Sequence, residues 1–133
     1  MGYQELFLFL LGLAVGSFLN VVALRYKPGA RLFTKDIFWG RSHCPKCQKN
    51  LRWYELVPVL SFLIQLGRCR HCHQLIAWQY PVVELLSGLA FVFAPLYPQS
   101  AFIWIMAILT LILIAVIDYR LSIIPDQLNL FLA

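Results

Sequence analysis

Leu6 to Leu24, LFLFLLGLAVGSFLNVVAL, is a run of nineteen residues without a charged side chain. In lipid, every backbone N–H and C=O must find its partner inside the segment, so a single spanning run must be a helix. At 1.5 Å per residue this run approaches the ~30 Å of a hydrocarbon core. Two further apolar runs follow: Pro81 to Tyr97 (PVVELLSGLAFVFAPLY), with proline where a first helical turn tolerates it, and Ala101 to Ile117. Only 13% of the residues are charged, against about a quarter in soluble domains. The fold class expected is an all-α polytopic membrane protein with about three transmembrane helices. Met1 to Glu5 has no basic residue and no small-residue cleavage site follows, so the first run reads as a retained span and not a signal peptide.

Charge fixes the expected topology. Ten of the eleven Lys and Arg residues lie between Arg25 and Arg70, and only Asp36 and Glu55 oppose them up to Gln79. Positive loops stay on the cytoplasmic side, which puts the N-terminus and the Pro98–Ser100 connection outside. Within this loop, Leu56 to Leu66 is too short to span and contains Pro58, and reads as an interfacial or re-entrant piece. The basic loop is expected to rest on anionic lipid head groups, each well-placed cation contributing about 1 kcal/mol; no nucleic-acid partner is expected. No internal repeat stands out.

The same loop holds two C-x-x-C pairs, Cys44/Cys47 and Cys69/Cys72, separated by 21 residues. Each pair can offer two thiolates to one Zn²⁺, and two pairs complete a tetrahedral shell. The separation lies just outside the usual ribbon range of about 15 to 20 residues. Disulfides are the competing reading, but they are rare in the reducing cytosol. A closed four-cysteine shell leaves no place for water, so the zinc is expected to be structural and a zinc-dependent hydrolase is disfavoured. His43, His71 and His73 flank the pairs and are left outside the ligand set.

Ionisable and polar residues near hydrocarbon are functional candidates, because their burial costs ~2.5 kcal/mol or more. Glu84 lies about one turn into the second run, where an interface carboxylate held by the helix dipole is as good a reading as a catalytic one. Asn20 suits an interhelical contact, and Gly12, Gly16 and Ser17 form a small-residue face suited to helix packing. Asp118 stands where the third run ends, an unfavourable place for a carboxylate at a helix C-terminus; the bland alternative is a solvated residue paired with Arg120. Asp126, after Pro125, reads as the N-cap of a further helix.

Taken in order, these motifs resemble the bifunctional prepilin peptidases. The matching residues are Gly16-Ser17-Phe18-Leu19-Asn20-Val21-Val22, Ser42 to Cys47, then Leu51, Trp53, Tyr54, Pro58 and Ser61. They continue with Gly67-Arg68-Cys69-Arg70-x-Cys72, Tyr80-Pro81-x-x-Glu84, and Ile117-Asp118 with Pro125-Asp126. The resemblance implies an intramembrane aspartic peptidase in which Asp118 is the first catalytic aspartate. It places the second in a Gly-x-Gly-Asp motif, which this sequence does not contain. It also implies prepilin or pseudopilin substrates and S-adenosylmethionine-dependent methylation of the new N-terminus, with Gly67 matching a position tied to the methyl donor. The expected organisation is a first transmembrane helix in 1–24, a cytoplasmic Cys₄ zinc-binding loop in 25–80, and in 81–133 the truncated start of the peptidase domain. Leu128 to Ala133 opens another apolar run, and the sequence is expected to be an N-terminal fragment, inactive as a peptidase by itself. The alternative is a non-catalytic membrane module whose zinc-held loop docks a pilus or secretion component.

Overall fold

A computed structural model describes residues 2–28, 35, 39–96 and 99–121; Asp126 and the run from Leu128 lie outside them. The first helix, α1, runs Tyr3–Arg25. Its start is fixed by Glu5, whose Oε2 accepts the Gly2 N–H at 3.1 Å, a carboxylate where the helix dipole favours one. Its end is marked by Tyr26 in extended backbone. Helix α2 is the short Leu60–Ile64. Helix α3 covers Gln79–Phe93 and continues as a 3₁₀ turn over Ala94–Leu96. Pro95 sits in that turn, where its missing N–H and its steric effect on Ala94 oppose another α turn. Helix α4 covers Ala101–Leu121.

Helix α1, α3 with its 3₁₀ turn, and α4 are each long and apolar enough to cross a membrane. No β-strand occurs among the described residues, only two isolated bridges. The spans sit where the apolar runs predict, with different ends. Helix α4 is described four residues past Ile117, to Leu121, so Asp118 lies within the helix. The run at Leu56–Leu66 does not span: it folds as α2, with Leu60, Leu63 and Ile64 exposed.

Helix α1 packs chiefly on α3 through small residues. A Cβ on Gly12 would lie 2.6 Å from the Ser87 carbonyl oxygen, and one on Gly16 would lie 2.8 Å from the Glu84 Cα. Only hydrogen fits where two backbones approach so closely, so the small-residue face does what its spacing predicts. Helix α4 leans on both, and Val22, Ala23, Val83, Leu113, Val116 and Ile117 form one buried cluster. Phe7, Leu10, Phe93, Phe102, Ile103 and Trp104 remain exposed, as lipid-facing side chains would be. The end of the bundle nearest the cysteine loop is also tied by polar contacts. The Asn20 amide donates to the Tyr80 carbonyl at 3.2 Å, and the Arg120 guanidinium donates to the Ala23 carbonyl. The C-terminal ends of α1 and α4 and the start of α3 are thereby gathered beneath the loop.

Candidate functional site

The two cysteine pairs fold into the same structure twice. Cys44 N–H donates to the Lys49 carbonyl at 3.0 Å, and Cys69 N–H to that of Gln74 at 2.9 Å. Gln48 N–H donates back to Cys44 as His73 N–H does to Cys69, and Leu51 N–H reaches Ser42 as Ile76 N–H reaches Gly67. Each knuckle closes with an antiparallel bridge, His43 with Asn50 and Arg68 with Leu75. Each turns through one left-handed residue, Gln48 at φ 56° and His73 at φ 55°. Every pair of equivalents is 25 positions apart in sequence. The loop therefore contains a structural repeat that the sequence reading did not detect. Apart from the cysteines, its clearest trace is Trp53 matching Trp78; the remaining equivalences are backbone hydrogen bonds, to which side-chain identity is nearly indifferent.

The turns aim four sulfurs at one point. The Sγ atoms of Cys44, Cys47, Cys69 and Cys72 all lie within 4.8 Å of one another, and no disulfide joins them. Tetrahedral ligation with bonds of about 2.3 Å requires sulfur–sulfur edges of roughly 3.8 Å. Cys44 Sγ and Cys72 Sγ are 3.8 Å apart. A disulfide would need about 2.05 Å. The four cysteines are thus placed to hold a metal ion, and His43, His71 and His73 stand outside the cluster on the surface. The thiols are electrostatically unequal. Backbone N–H groups of Cys72 and His71 point at the Cys69 sulfur and lower its pKa to about 7. The Gln74 amide pulls Cys72 the same way, but desolvation and the neighbouring thiols prevail and push it up to about 11.

Side chains around the knuckles hold them together and onto the membrane helices. The Tyr54 ring lies under both Arg52 and Arg70, with centroid distances of 6.0 and 5.4 Å. Arg25 at the end of α1 donates to the Gly40 carbonyl at 2.9 Å. Glu84 of α3 accepts the Val59 N–H at 2.7 Å, and the Ser17 hydroxyl also hydrogen-bonds to it. Val59 has φ 58°, a conformation that β-branched residues strongly avoid, so this carboxylate clamps a strained joint between loop and bundle. Glu84 is therefore bonded across elements and is not merely held by its own helix dipole. Gly67 is buried at the foot of the second knuckle with φ 66°, and a Cβ there would meet the Phe62 ring at 3.1 Å. Its place is behind Phe62, whose ring packs against Trp78 with centroids 5.0 Å apart and planes tilted by 59°.

Between knuckles and bundle lies a cavity of about 290 Å³. Asn20, Glu55 and Glu84 face it from three elements, with Phe62, Tyr80, Cys44 and Cys69 also in its wall. Glu55 is a residue the sequence reading passed over, counting it only as one of two acids in a basic loop. It is buried, and its Oε2 accepts the Arg52 N–H at 2.8 Å. The only sequence signal was its isolation among cations. Asp118 is exposed at the same end of the bundle, on the turn of α4 that carries Arg120. Arg120 turns to the Ala23 carbonyl instead of pairing with Asp118. Asp118 is not among the residues lining the cavity, so the structure separates it from the acids around Asn20.

Comparison with known proteins agrees with this architecture. The prepilin leader peptidase/N-methyltransferase of Dickeya chrysanthemi is 36% identical across 92% of this chain and 51% of its own length. The type 4 prepilin-like proteins leader peptide-processing enzyme of Escherichia coli is 42% identical across 86% of the chain and 49% of its own length. The prepilin leader peptidase/N-methyltransferase of Myxococcus xanthus is 51% identical across 64% of the chain and 24% of its own length. The chain thus spans about half the length of the first two of these relatives. No solved structure matches. Its three apolar helices and these relatives make it a multi-pass protein of the inner membrane. Residues 10–97, which include most of α1, both knuckles and α3, match the family described as the bacterial peptidase A24 N-terminal domain, and to that family the chain belongs.

Proposed function

We propose that this chain is the N-terminal part of a membrane aspartyl endopeptidase that removes the leader of prepilins or pseudopilins and methylates the new N-terminus. The observation that carries the reading is the convergence at one end of the bundle. The knuckles, the acid-lined cavity and Asp118 all lie where Asn20 and Arg120 draw the three spans together. In this reading the four cysteines bind one Zn²⁺ whose closed thiolate shell folds the loop and performs no chemistry. Residues 25–80 form that cytoplasmic zinc loop, following the first span in 1–24, and 81–133 open the peptidase region. The basic residues of the loop, with Leu60, Leu63 and Ile64, rest on anionic lipid head groups at the cytoplasmic face.

Asp118 supplies one of two catalytic carboxylates. Two are required because they share one proton: one acts as base toward water while the other donates to the carbonyl oxygen. The second belongs to the remainder of the enzyme. S-adenosylmethionine supplies the methyl group, and Gly67 contributes by setting the Phe62 ring. The test is cleavage and methylation of a prepilin by the full-length protein. Asp118→Asn removes the shared proton with almost no change in volume, so cleavage should fall by orders of magnitude. Methylation of an already processed pilin should continue. Near-normal cleavage by the Asn variant would overturn the assignment of Asp118.

A further inference from the structure

The cavity beneath the knuckles has a wall that contradicts its surroundings. It lies beneath a loop bearing ten Lys and Arg, yet among the described residues no Lys or Arg lines it, while Glu55 and Glu84 both do. Each carboxylate is buried with one backbone N–H on its Oε2. An ionised carboxylate offers about four acceptor sites, so both retain capacity. Asn20 adds an independent sign. It lines the same cavity at 2% exposure, its amide nitrogen is committed to the Tyr80 carbonyl, and its Oδ1 is buried with no hydrogen-bond partner. Its orientation follows from chemistry, since a carbonyl can only accept and so must face the nitrogen. A buried acceptor left without a donor costs about 1–3 kcal/mol. The fold maintains three acceptors around one space that no described Lys or Arg lines.

We propose that this cavity is a binding site for an organic cation on an apolar body, a sulfonium or a primary ammonium, received by Asn20, Glu55 and Glu84. The apolar wall, with Val21, Leu24, Leu51, Phe62 and Ile76, accepts the body of such a ligand while the acceptors hold its charge. Gly67 supports the same wall from behind through Phe62. This site rests on the methyltransferase reading, under which two molecules bring such a charge: the methyl donor through its sulfonium and ammonium, and the processed substrate through its new N-terminal amine. An anionic ligand gains nothing from two carboxylates and an amide oxygen.

The test uses purified full-length protein loaded with zinc in detergent, titrated calorimetrically with S-adenosylmethionine. A second arm uses a short apolar peptide with a free α-amine, compared with its N-acetylated twin. Glu84→Gln and Asn20→Leu should each weaken the cationic ligand tenfold or more, with zinc content unchanged as the check that the loop is folded. Leu75→Lys provides a variant that leaves the acids intact. Leu75 lines the cavity but is 70% exposed, so a lysine there is tolerated and carries a competing cation to the acceptors. It should also weaken binding tenfold or more. If S-adenosylmethionine shows this pattern, the cavity takes the donor; if only the free-amine peptide shows it, the cavity takes the acceptor. The proposal falls if neither binds the wild type, or if binding is the same in all three variants. Methylation of a processed pilin by the wild type is measured in parallel. Its absence would sink the methyltransferase reading, whereas methylation with variant-insensitive binding would sink the cavity assignment alone.

Discussion

The α1–α3 helix pair and the cysteine loop are neighbours held together by opposite means. In the helix pair, backbones touch: Gly12 and Gly16 leave no room for a methyl group, and packing over a long contact keeps the helices in register. In the loop there is little packing of this kind. Trp53, Trp78, Leu66 and Leu75 are exposed, and order comes from short backbone hydrogen bonds around two tight turns. Such turns alone do not offset the conformational entropy of the chain, at about 1–2 kcal/mol per backbone residue. One part of the molecule is stabilised by shape; the other, under the proposed zinc reading, by a point to which four ligands are tied. The two should therefore fail under different insults.

Removing the metal tests this division most severely. Structural zinc contributes an apparent ~10–16 kcal/mol in small zinc-dependent folds. Cys44→Ser or strong chelation should therefore unfold the knuckles while α1, α3 and α4 stay helical. Proteolysis of the loop, read beside far-ultraviolet circular dichroism in detergent, checks it; an intact loop without metal would break the comparison.

The converse insult is Gly16→Leu. Overpacking typically costs ~1–3 kcal/mol and occasionally more, and here the clash is with backbone 2.8 Å away, which cannot give like a side-chain tip. The helices should separate or tilt and thermal stability in detergent should fall by ~3 kcal/mol, while zinc stoichiometry remains at one per chain. Loss of zinc in this variant would show that the knuckles depend on the helix pair after all.

Proton linkage should give a smaller effect confined to the loop. Thiols must ionise to bind metal, and Cys72, held up near 11, releases its proton on binding throughout the neutral range. Cys69, lowered to about 7, adds a further proton as pH falls through that value. Its lowered pKa stabilises the folded loop at high pH, a contribution lost on acidification through about 7. Zinc affinity should thus rise by at least about 100-fold, or ~2.7 kcal/mol, between pH 6 and pH 8. Competition with a chromophoric chelator measures it, and a flat profile would contradict ionisation of the thiols on metal binding.

The smallest expected effect probes the repeat itself. Gln48 and His73 both occupy the left-handed region, where glycine is relieved of steric cost. Gln48→Gly and His73→Gly should each stabilise the zinc-loaded loop, by up to ~1 kcal/mol and by similar amounts, with part of the gain offset by greater unfolded-state entropy. Hydrogen exchange at the amides of Cys44 and Cys69 would report it. Opposite signs at the two positions would mean that the knuckles are not energetically equivalent.

How much could be read from the sequence divides along the same line. Hydrocarbon is an unforgiving solvent, so apolar runs alone located three spans, and α1, α3 and α4 lie on them. Cysteine is chemically specific, so two C-x-x-C pairs announced a metal-ligand set before any geometry was known. The glycine spacing announced close packing in α1 without naming its partner. What these signals share is that each is local: a residue type or a short spacing carries it.

Only tertiary structure decided the rest. Glu84 meets Val59 across 25 residues and Asn20 meets Tyr80 across 60, and no spacing rule predicts either contact. The duplicated knuckle is written in backbone hydrogen bonds and left-handed turns, which many side chains permit, so it left little imprint on the sequence. Glu55 looked like an incidental acid until burial and the cavity gave it neighbours. The physical reason is shared by the contacts of Glu84, Asn20 and Glu55. Hydropathy and ligand chemistry act on one residue at a time, whereas buried polar contacts exist only once distant segments share a space from which water has been removed.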